Sequence, residues 1–230
     1  MIKFQNVTKT YHLSDCHSLT AVENISFEIF PKEFLTIIGK SGAGKTTLIK
    51  LLLGEEKLTN GEIYFDEIKI SEIEQNHLQK IRRKIGVVYQ DYRLFPSKTV
   101  FENVSYILEV IGEPEDKIKK EIPQVLELVG LEHLANHFPY EISGGEQQRL
   151  AIARALIHRP EVIIADEPTG NLDVYNAAEV VNLLKKINSL GTTLILATHN
   201  KETVENLKTR VITLSEGKLI RDDLNGNFIL

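Results

Sequence analysis

Eight consecutive residues, Gly39 to Thr46 (GKSGAGKT), have the types and spacing needed to hold a phosphate chain. Such a chain is met by several converging backbone N–H groups, which a tight loop of small residues allows, and Gly39, Gly42 and Gly44 are free to adopt positive φ. Lys45 reaches the β- and γ-phosphates as a point charge, and the Thr46 hydroxyl is a ligand for Mg²⁺. The alternative is an ordinary glycine turn joining a strand to a helix. Context favours the phosphate reading. Apolar FLTII precedes the loop and helically spaced TLIKLLL follows it, so the loop sits on a helix N-terminus whose dipole attracts anions.

Other residues fit the same chemistry. Asp166 and Glu167 end the apolar run VIIA, where one carboxylate can hold a Mg²⁺ shell (Asp166) while the next orients and deprotonates an attacking water (Glu167). Ser143, Gly144 and Gly145 open a helix and form a second anion site, or else an ordinary glycine-containing cap. Gln90 ends IGVVYQ, where its side-chain oxygen completes a Mg²⁺ shell or positions water, or is simply solvated. His199, at the edge of TTLILAT, is placed to hydrogen-bond a γ-phosphate or is structural. Tyr11, read as the end of the first strand, offers a ring for stacking on an adenine or for packing.

The elements that must position these groups follow from the hydrophobic pattern. Apolar alternation over 2–7 and 25–29, with polar HLSDCHS between, predicts an antiparallel start. Asn60-Gly61 is a turn signal before the strand EIYF. Ser71 and Glu74 stand in capping-box spacing at the start of SEIEQNHLQKIRRK, a predicted helix. From Asp91 to Ile142 strand signals fade. TVFENVSYILEVIG and PEDKIKKEIPQVLELVG read as helices, and Pro123 predicts a start or kink within the second. Ser143 caps a helix over ISGGEQQRLAIARALIHRP that Pro160 closes. VIIA and TTLILAT are continuous apolar runs, as buried parallel strands require, and a helix over 174–189 lies between them. RVITLSEGKLI predicts a hairpin turning at Glu216-Gly217, and DDLNGNFIL a mobile end.

At 230 residues and 42% hydrophobic the chain suffices for one large domain or a core with a subdomain. A net charge of -5 gives no basic footprint, so nucleic acid is not expected as a partner. One cysteine, Cys16, allows no internal disulfide and is read as a bystander. No secretory h-region opens the chain, and no apolar run approaches the roughly 18 to 20 residues of a membrane span. A cytoplasmic chain is expected; work at a membrane would need a partner to supply the membrane part. Tyr92, Leu94 and Phe95, directly after Gln90, are read either as filling the helical region's core or as a docking surface for such a partner.

The ordered set GKSGAGKT, Gln90, ISGGEQ, IIADEP, NLD and ATHN resembles the nucleotide-binding subunit of ABC ATPases over essentially the whole chain. The resemblance implies an α/β fold: a P-loop NTPase (RecA-like) core, an antiparallel β-subdomain carrying Tyr11, and an inserted α-helical subdomain. The corresponding division is core and β-subdomain over 1–90 and 159–230, and helical subdomain with signature helix over 91–158. It implies ATP and Mg²⁺ as cofactors. Nucleotide contacts would come from Tyr11, Gly39, Lys40, Ser41, Gly42, Ala43, Gly44, Lys45, Thr46, Thr47, Gln90, Ser143, Gly144, Gly145 and Glu146. Metal contacts would come from Thr46, Gln90 and Asp166, and catalysis from Glu167 and His199. Family members form head-to-tail homodimers on ATP, with SGG of one subunit covering the nucleotide of the other and Asp173 bridging the two.

Within the family, RRKIGVVYQDYRLFPSKTVFENV and NHFPYEISGGEQQRLAIARA resemble the cell-division branch. That resemblance implies a subunit peripheral on the inner face of the plasma membrane, working through an integral, permease-like partner to activate peptidoglycan hydrolases. ADEPTGNLD with SGGEQQR is also the style of lipoprotein-release and macrolide-export ATPases, which stay an alternative. Ile142 stands where the family usually has leucine, a near isostere, and Asn200 where aspartate is commoner, which puts any contact needing a charge there in doubt.

Overall fold

The computed structural model describes residues 1–14, 17–224 and 226, the side chains of residues 13, 14, 17 and 75 excepted. Cys16 and most of the expected mobile end lie outside the described residues.

Two sheets organise the chain. The first is antiparallel, order β2-β1-β4-β5, made of β1 (Ile2–Ser14), β2 (His17–Ile29), β4 (Asn60–Phe65) and β5 (Ile68–Lys69). The second has the order β10-β9-β3-β8-β7-β6, from β3 (Phe34–Ile38), β6 (Ile85–Tyr89), β7 (Val162–Asp166), β8 (Thr193–Thr198), β9 (Arg210–Ser215) and β10 (Lys218–Asp223). All its pairings are parallel except β9 with β10. Helices α1 (Lys45–Leu52), α2 (Gln75–Arg82), α3 (Val100–Ile111), α4 (Glu115–Val129), α5 (Gly144–Leu156), α6 (Val174–Ser189) and α7 (Lys201–Leu207) complete the fold.

The parallel sheet is the wall between two cores. Side chains alternate across a strand, and in β7 and β8 both faces are apolar. Val162, Ile164, Ile195 and Ala197 join a core with α1 and the antiparallel sheet, whereas Ile163, Ala165, Leu194 and Leu196 join one with α3 to α6. Both strands are buried along their whole length, so their C-terminal ends are fixed from two sides.

Several expectations change in detail. β1 and β2 run on through most of HLSDCHS, pairing Thr10 with Thr20 and Tyr11 with Leu19; this exposed arm is held by the ladder and needs no apolar alternation. Tyr11 therefore lies inside a strand, not at its end. Asn60-Gly61 is no turn: it opens β4 beside a register shift in β1, with Gly61 at φ 90° and so close that a Cβ would stand 2.3 Å from the Asn6 carbonyl oxygen. Ser71 lies in a 3₁₀ turn, and α2 begins at Gln75 without a side-chain cap. Pro123 neither starts nor breaks α4, which enters at Glu115 and continues past it. The Glu216-Gly217 turn has positive φ at both residues, as a two-residue type I′ hairpin requires. Helix α7 carried no sequence expectation; Asn200 caps it, its side-chain oxygen accepting the Thr203 N–H at 3.0 Å.

Gly86 records how tightly the sheet meets the helices, since a Cβ there would sit 2.2 Å from the Ala155 carbonyl oxygen of α5. Gly86→Ala should cost about 1–3 kcal/mol by overpacking, read as a lower urea midpoint at unchanged slope. An unchanged midpoint would mean that α5 moves freely over β6.

Candidate functional site

The C-terminal edge of the parallel sheet gathers the groups that the sequence singled out. β3 ends at Ile38 and hands the chain to the glycine loop, which turns through Gly42 (φ 81°) and Gly44 (φ 105°) into α1. Gly39 does not use positive φ. It is required for space, because a Cβ would lie 2.7 Å from the Leu214 carbonyl oxygen.

Lys45 is only 6% exposed, so its ammonium must be compensated. It donates to the Gly39 carbonyl at 2.7 Å and pairs with Glu167 Oε1 at 3.2 Å. The same carboxylate oxygen accepts from His199 Nδ1 at 2.9 Å, and Glu167 Oε2 accepts the His199 main-chain N–H at 3.3 Å. Lys45, Glu167 and His199 thus form one connected cluster.

Glu167 reaches it through an uncommon backbone state. Successive side chains of a strand face opposite ways, so Asp166 and Glu167 could not share a site if β7 continued. The strand ends at Asp166, and Glu167 takes φ 50°, its N–H donating to the Ala197 carbonyl at 2.9 Å. Left-handed geometry in a residue with a long side chain costs free energy and is common at functional sites.

Asp166 faces Thr46. Its Oδ2 accepts the Thr46 hydroxyl at 2.9 Å, while Oδ1 is buried and unpartnered among the described residues. A buried, unpartnered carboxylate oxygen is what a cation or a tightly held water would satisfy. The donor set suits a hard cation such as Mg²⁺. No group of three or more His, Cys, Asp or Glu that could hold a metal occurs among the described residues.

The candidates beyond the loop make no side-chain hydrogen bond to this cluster among the described residues. Gln90, just past β6, binds Asn171: its Nε2 donates to Asn171 Oδ1 at 3.1 Å and its carbonyl accepts from Asn171 Nδ2 at 3.1 Å. Ser143 caps α5 in a full capping box, with the Glu146 carboxylate turned back onto the Ser143 N–H and hydroxyl, both at 2.7 Å. Gly144 and Gly145 start that helix, and Asn176 of α6 fills the place of a Gly145 side chain, 2.0 Å from where a Cβ would stand. Asp173 caps α6, accepting from the Asn176 N–H at 2.9 Å. Tyr11 is half-buried under Lys9, whose ammonium lies 4.6 Å from the ring centre. Leu94 and Tyr92 pack against the core of the helical region. Phe95 meets Tyr106 edge-on at 4.7 Å, with its backbone clamped by Asn103. Asn171 was legible only as part of the NLD motif, and Asn176 carried no expectation; nothing in residue type announced their contacts.

Burial pushes the Asp166 carboxyl above the ordinary aspartate range, with the neighbouring Glu167 charge adding to the rise and the Thr46 bond opposing it. A carboxyl raised on folding holds its proton more tightly in the folded chain. Stability therefore declines as pH rises from the ordinary aspartate value through the folded one, and stays lower above it. Asp166→Asn, which keeps an acceptor for Thr46, should melt higher than the parent at pH 7, with the gap closing below about pH 4. It should also lose about 10²-fold or more in metal-dependent turnover. A variant that melts lower at pH 7 would contradict the buried-charge account.

Comparison with known proteins agrees with this geometry. The model of the family described as ABC transporter matches residues 22–170. The chain is 47% identical to the cell division ATP-binding protein FtsE of Bacillus subtilis (strain 168), covering 99% of this chain and 98% of that one. It is 45% identical to FtsE of Mycobacterium tuberculosis (strain ATCC 25618 / H37Rv), over 98% and 97%. Among solved structures, the dimeric post-hydrolysis state of the ATP-binding cassette MJ0796, bound to ADP and Pi, superposes with a TM-score of 0.88 at 37% identity, covering 99% of this chain and all of that one. A glycine loop at the edge of a parallel sheet, adjacent carboxylates at the end of β7 and full-length likeness to these cassettes lead to one conclusion: the chain belongs to the ABC transporter family, as one of its ATP-hydrolysing subunits.

Proposed function

We propose that this ATPase binds MgATP on the loop Gly39–Thr47, dimerises head-to-tail on it, and drives an integral membrane partner of the FtsX type. In that role ATP turnover is coupled to cell division and to activation of peptidoglycan hydrolases. Full-length identity of 45–47% to proteins named for cell division supports the biological role. No helix among the described residues is long and apolar enough to cross a membrane.

One observation carries the chemistry: the cluster in which Lys45, Glu167 and His199 meet beside the unsatisfied Asp166 oxygen. Lys45 and the loop N–H groups hold the phosphates, and Thr46 and Asp166 hold Mg²⁺, which supplies Lewis-acid charge stabilisation when bound. A phosphate competes with Glu167 for Lys45. Glu167, released from the ammonium, takes a proton from the attacking water, and His199 keeps that carboxylate aimed and contacts the γ-phosphate. Gln90 joins the metal side in the bound state, and Tyr11 stacks on the adenine. Ser143 to Glu146 and Asp173 serve the partner subunit's nucleotide across a two-fold axis.

Glu167→Gln keeps the shape of the side chain and removes the base. Hydrolysis should fall by about 10² to 10⁴-fold while ATP still binds. Light scattering should then find a dimer in MgATP and a monomer without nucleotide; undiminished hydrolysis would remove Glu167 from this role.

The half-buried Leu94 and Phe95 form the docking surface for the partner's cytoplasmic segment. Phe95→Ala should halve or abolish partner-stimulated turnover with basal nucleotide affinity intact. A stability loss of roughly 2–5 kcal/mol, with partner binding falling only in proportion to unfolding, would make the residue structural instead.

A further inference from the structure

The reciprocal pair between Gln90 and Asn171 is not needed to satisfy buried groups. Both residues are exposed, so neither amide depends on the other to avoid a buried unpaired group. The pair nevertheless uses two bonds, Gln90 Nε2 to Asn171 Oδ1 and Asn171 Nδ2 to the Gln90 carbonyl. A second feature, independent of the first, prepares the same position. A Cβ on Gly170 would stand 2.7 Å from Gln90 Nε2 and 3.1 Å from its Cδ, so the Gln90 side chain fits here only beside glycine. Gly170 has no positive φ, hence the glycine answers a demand for space and not for backbone conformation.

Asn171 also sits at a junction. Gly170 N–H donates to the Glu167 carbonyl at 3.1 Å, and Asp173 begins α6 two residues further on. The amide that holds Gln90 thus belongs to the short loop joining the catalytic carboxylate to the helix that packs on Gly145.

We propose that Asn171 is a positioning residue that holds Gln90 on the 170–171 loop, bonded to neither Thr46 nor Asp166, so that metal-bound nucleotide must draw Gln90 out of this place. The inference rests on the reading of Gln90 as metal-facing in the bound state. A ligand that binds only the released form has its apparent affinity reduced by the fraction released. Removing the parking place removes that reduction.

The test uses the full chain, a non-hydrolysable ATP analogue, and calorimetric titration with saturating Mg²⁺ and again in EDTA. Asn171→Ala deletes the partner amide, and Gly170→Ala evicts Gln90 by bulk. Each should tighten binding with Mg²⁺ by about 3- to 10-fold, the range that one or two solvent-exposed hydrogen bonds give, and leave binding in EDTA unchanged. Asn171→Asp, which can still accept from Gln90 Nε2 but cannot donate, should fall between. In a Gln90→Ala background Asn171→Ala should have no effect.

Unchanged or weaker binding with Mg²⁺ in both single variants overturns the proposal, as does equal tightening in EDTA. Gln90→Ala alone separates the two levels. If it leaves Mg²⁺-dependent affinity at the parent value, the metal-facing reading of Gln90 fails and the parking role with it. If it weakens that affinity while Asn171→Ala and Gly170→Ala change nothing, only the parking role fails.

Discussion

A cation closed off from water needs anions or dipoles within reach, and the Lys45 ammonium has the Gly39 and Lys40 carbonyls and the Glu167 carboxylate. Taking both charges out of water is expensive, and their attraction offsets that cost only while they stay paired. Phosphate oxygens arriving at the loop bring negative charge to the same ammonium. They can replace Glu167 without leaving Lys45 uncompensated, whereas nothing neutral can. An ion pair of this kind favours an anionic over a neutral ligand beside the ammonium, and the same carboxylate also touches His199. A change at the loop is therefore felt 122 positions along the chain through a single 3.2 Å contact.

Holding that contact requires the loop and the end of β7 to keep their places within a fraction of an ångström. The parallel sheet supplies this because its central strands are packed on both faces, so neither core can relax without moving the other. The close approaches at Gly39 and Gly86 belong to the same demand, as each is a point where backbone meets backbone and no side chain fits. Against this rigid wall, the positive φ of Glu167 is affordable: the Ala197 carbonyl and the Lys45 and His199 contacts fix a conformation that a free chain would avoid.

What the sequence made legible is what depends on local chemistry. The glycine loop, the VIIA strand with its carboxylates, the capped helix at Ser143 and the Glu216-Gly217 turn each follow from a few neighbouring residues. The misreadings share the opposite character. Asn60-Gly61 has the composition of a turn, but the bulge in β1 sets its conformation; a helix start at Pro123 is likewise not taken, since α4 enters at Glu115 and packs through Ile118, Ile122, Leu126 and Val129. Gln90 was legible as a strand-end residue of functional type. Its bond to Asn171, 81 positions away, was not, since a contact between two distant polar residues leaves no periodicity to read.

The connection from the sheet to the helical region passes through few residues, and their backbone is unusual. After Gln90 the chain takes two consecutive left-handed residues, Tyr92 (φ 58°) and Arg93 (φ 49°), before the segment is tied down. Asn103 then binds the Phe95 N–H and carbonyl and the Lys98 and Thr99 carbonyls, and Arg154 of α5 donates to the Arg93 carbonyl. Everything from Phe95 onward is thereby fastened to α3 and α5, and everything up to Tyr89 to the sheet. Between the two lie Gln90 to Leu94, and α5 also meets β6 at Gly86 and α6 where Arg149 pairs with Glu179 at 2.7 Å. Two of these places involve the candidate site residues. One of them contains the residue paired to Asn171, and the other joins the helix that starts at Ser143 to the helix that starts beside Asp173.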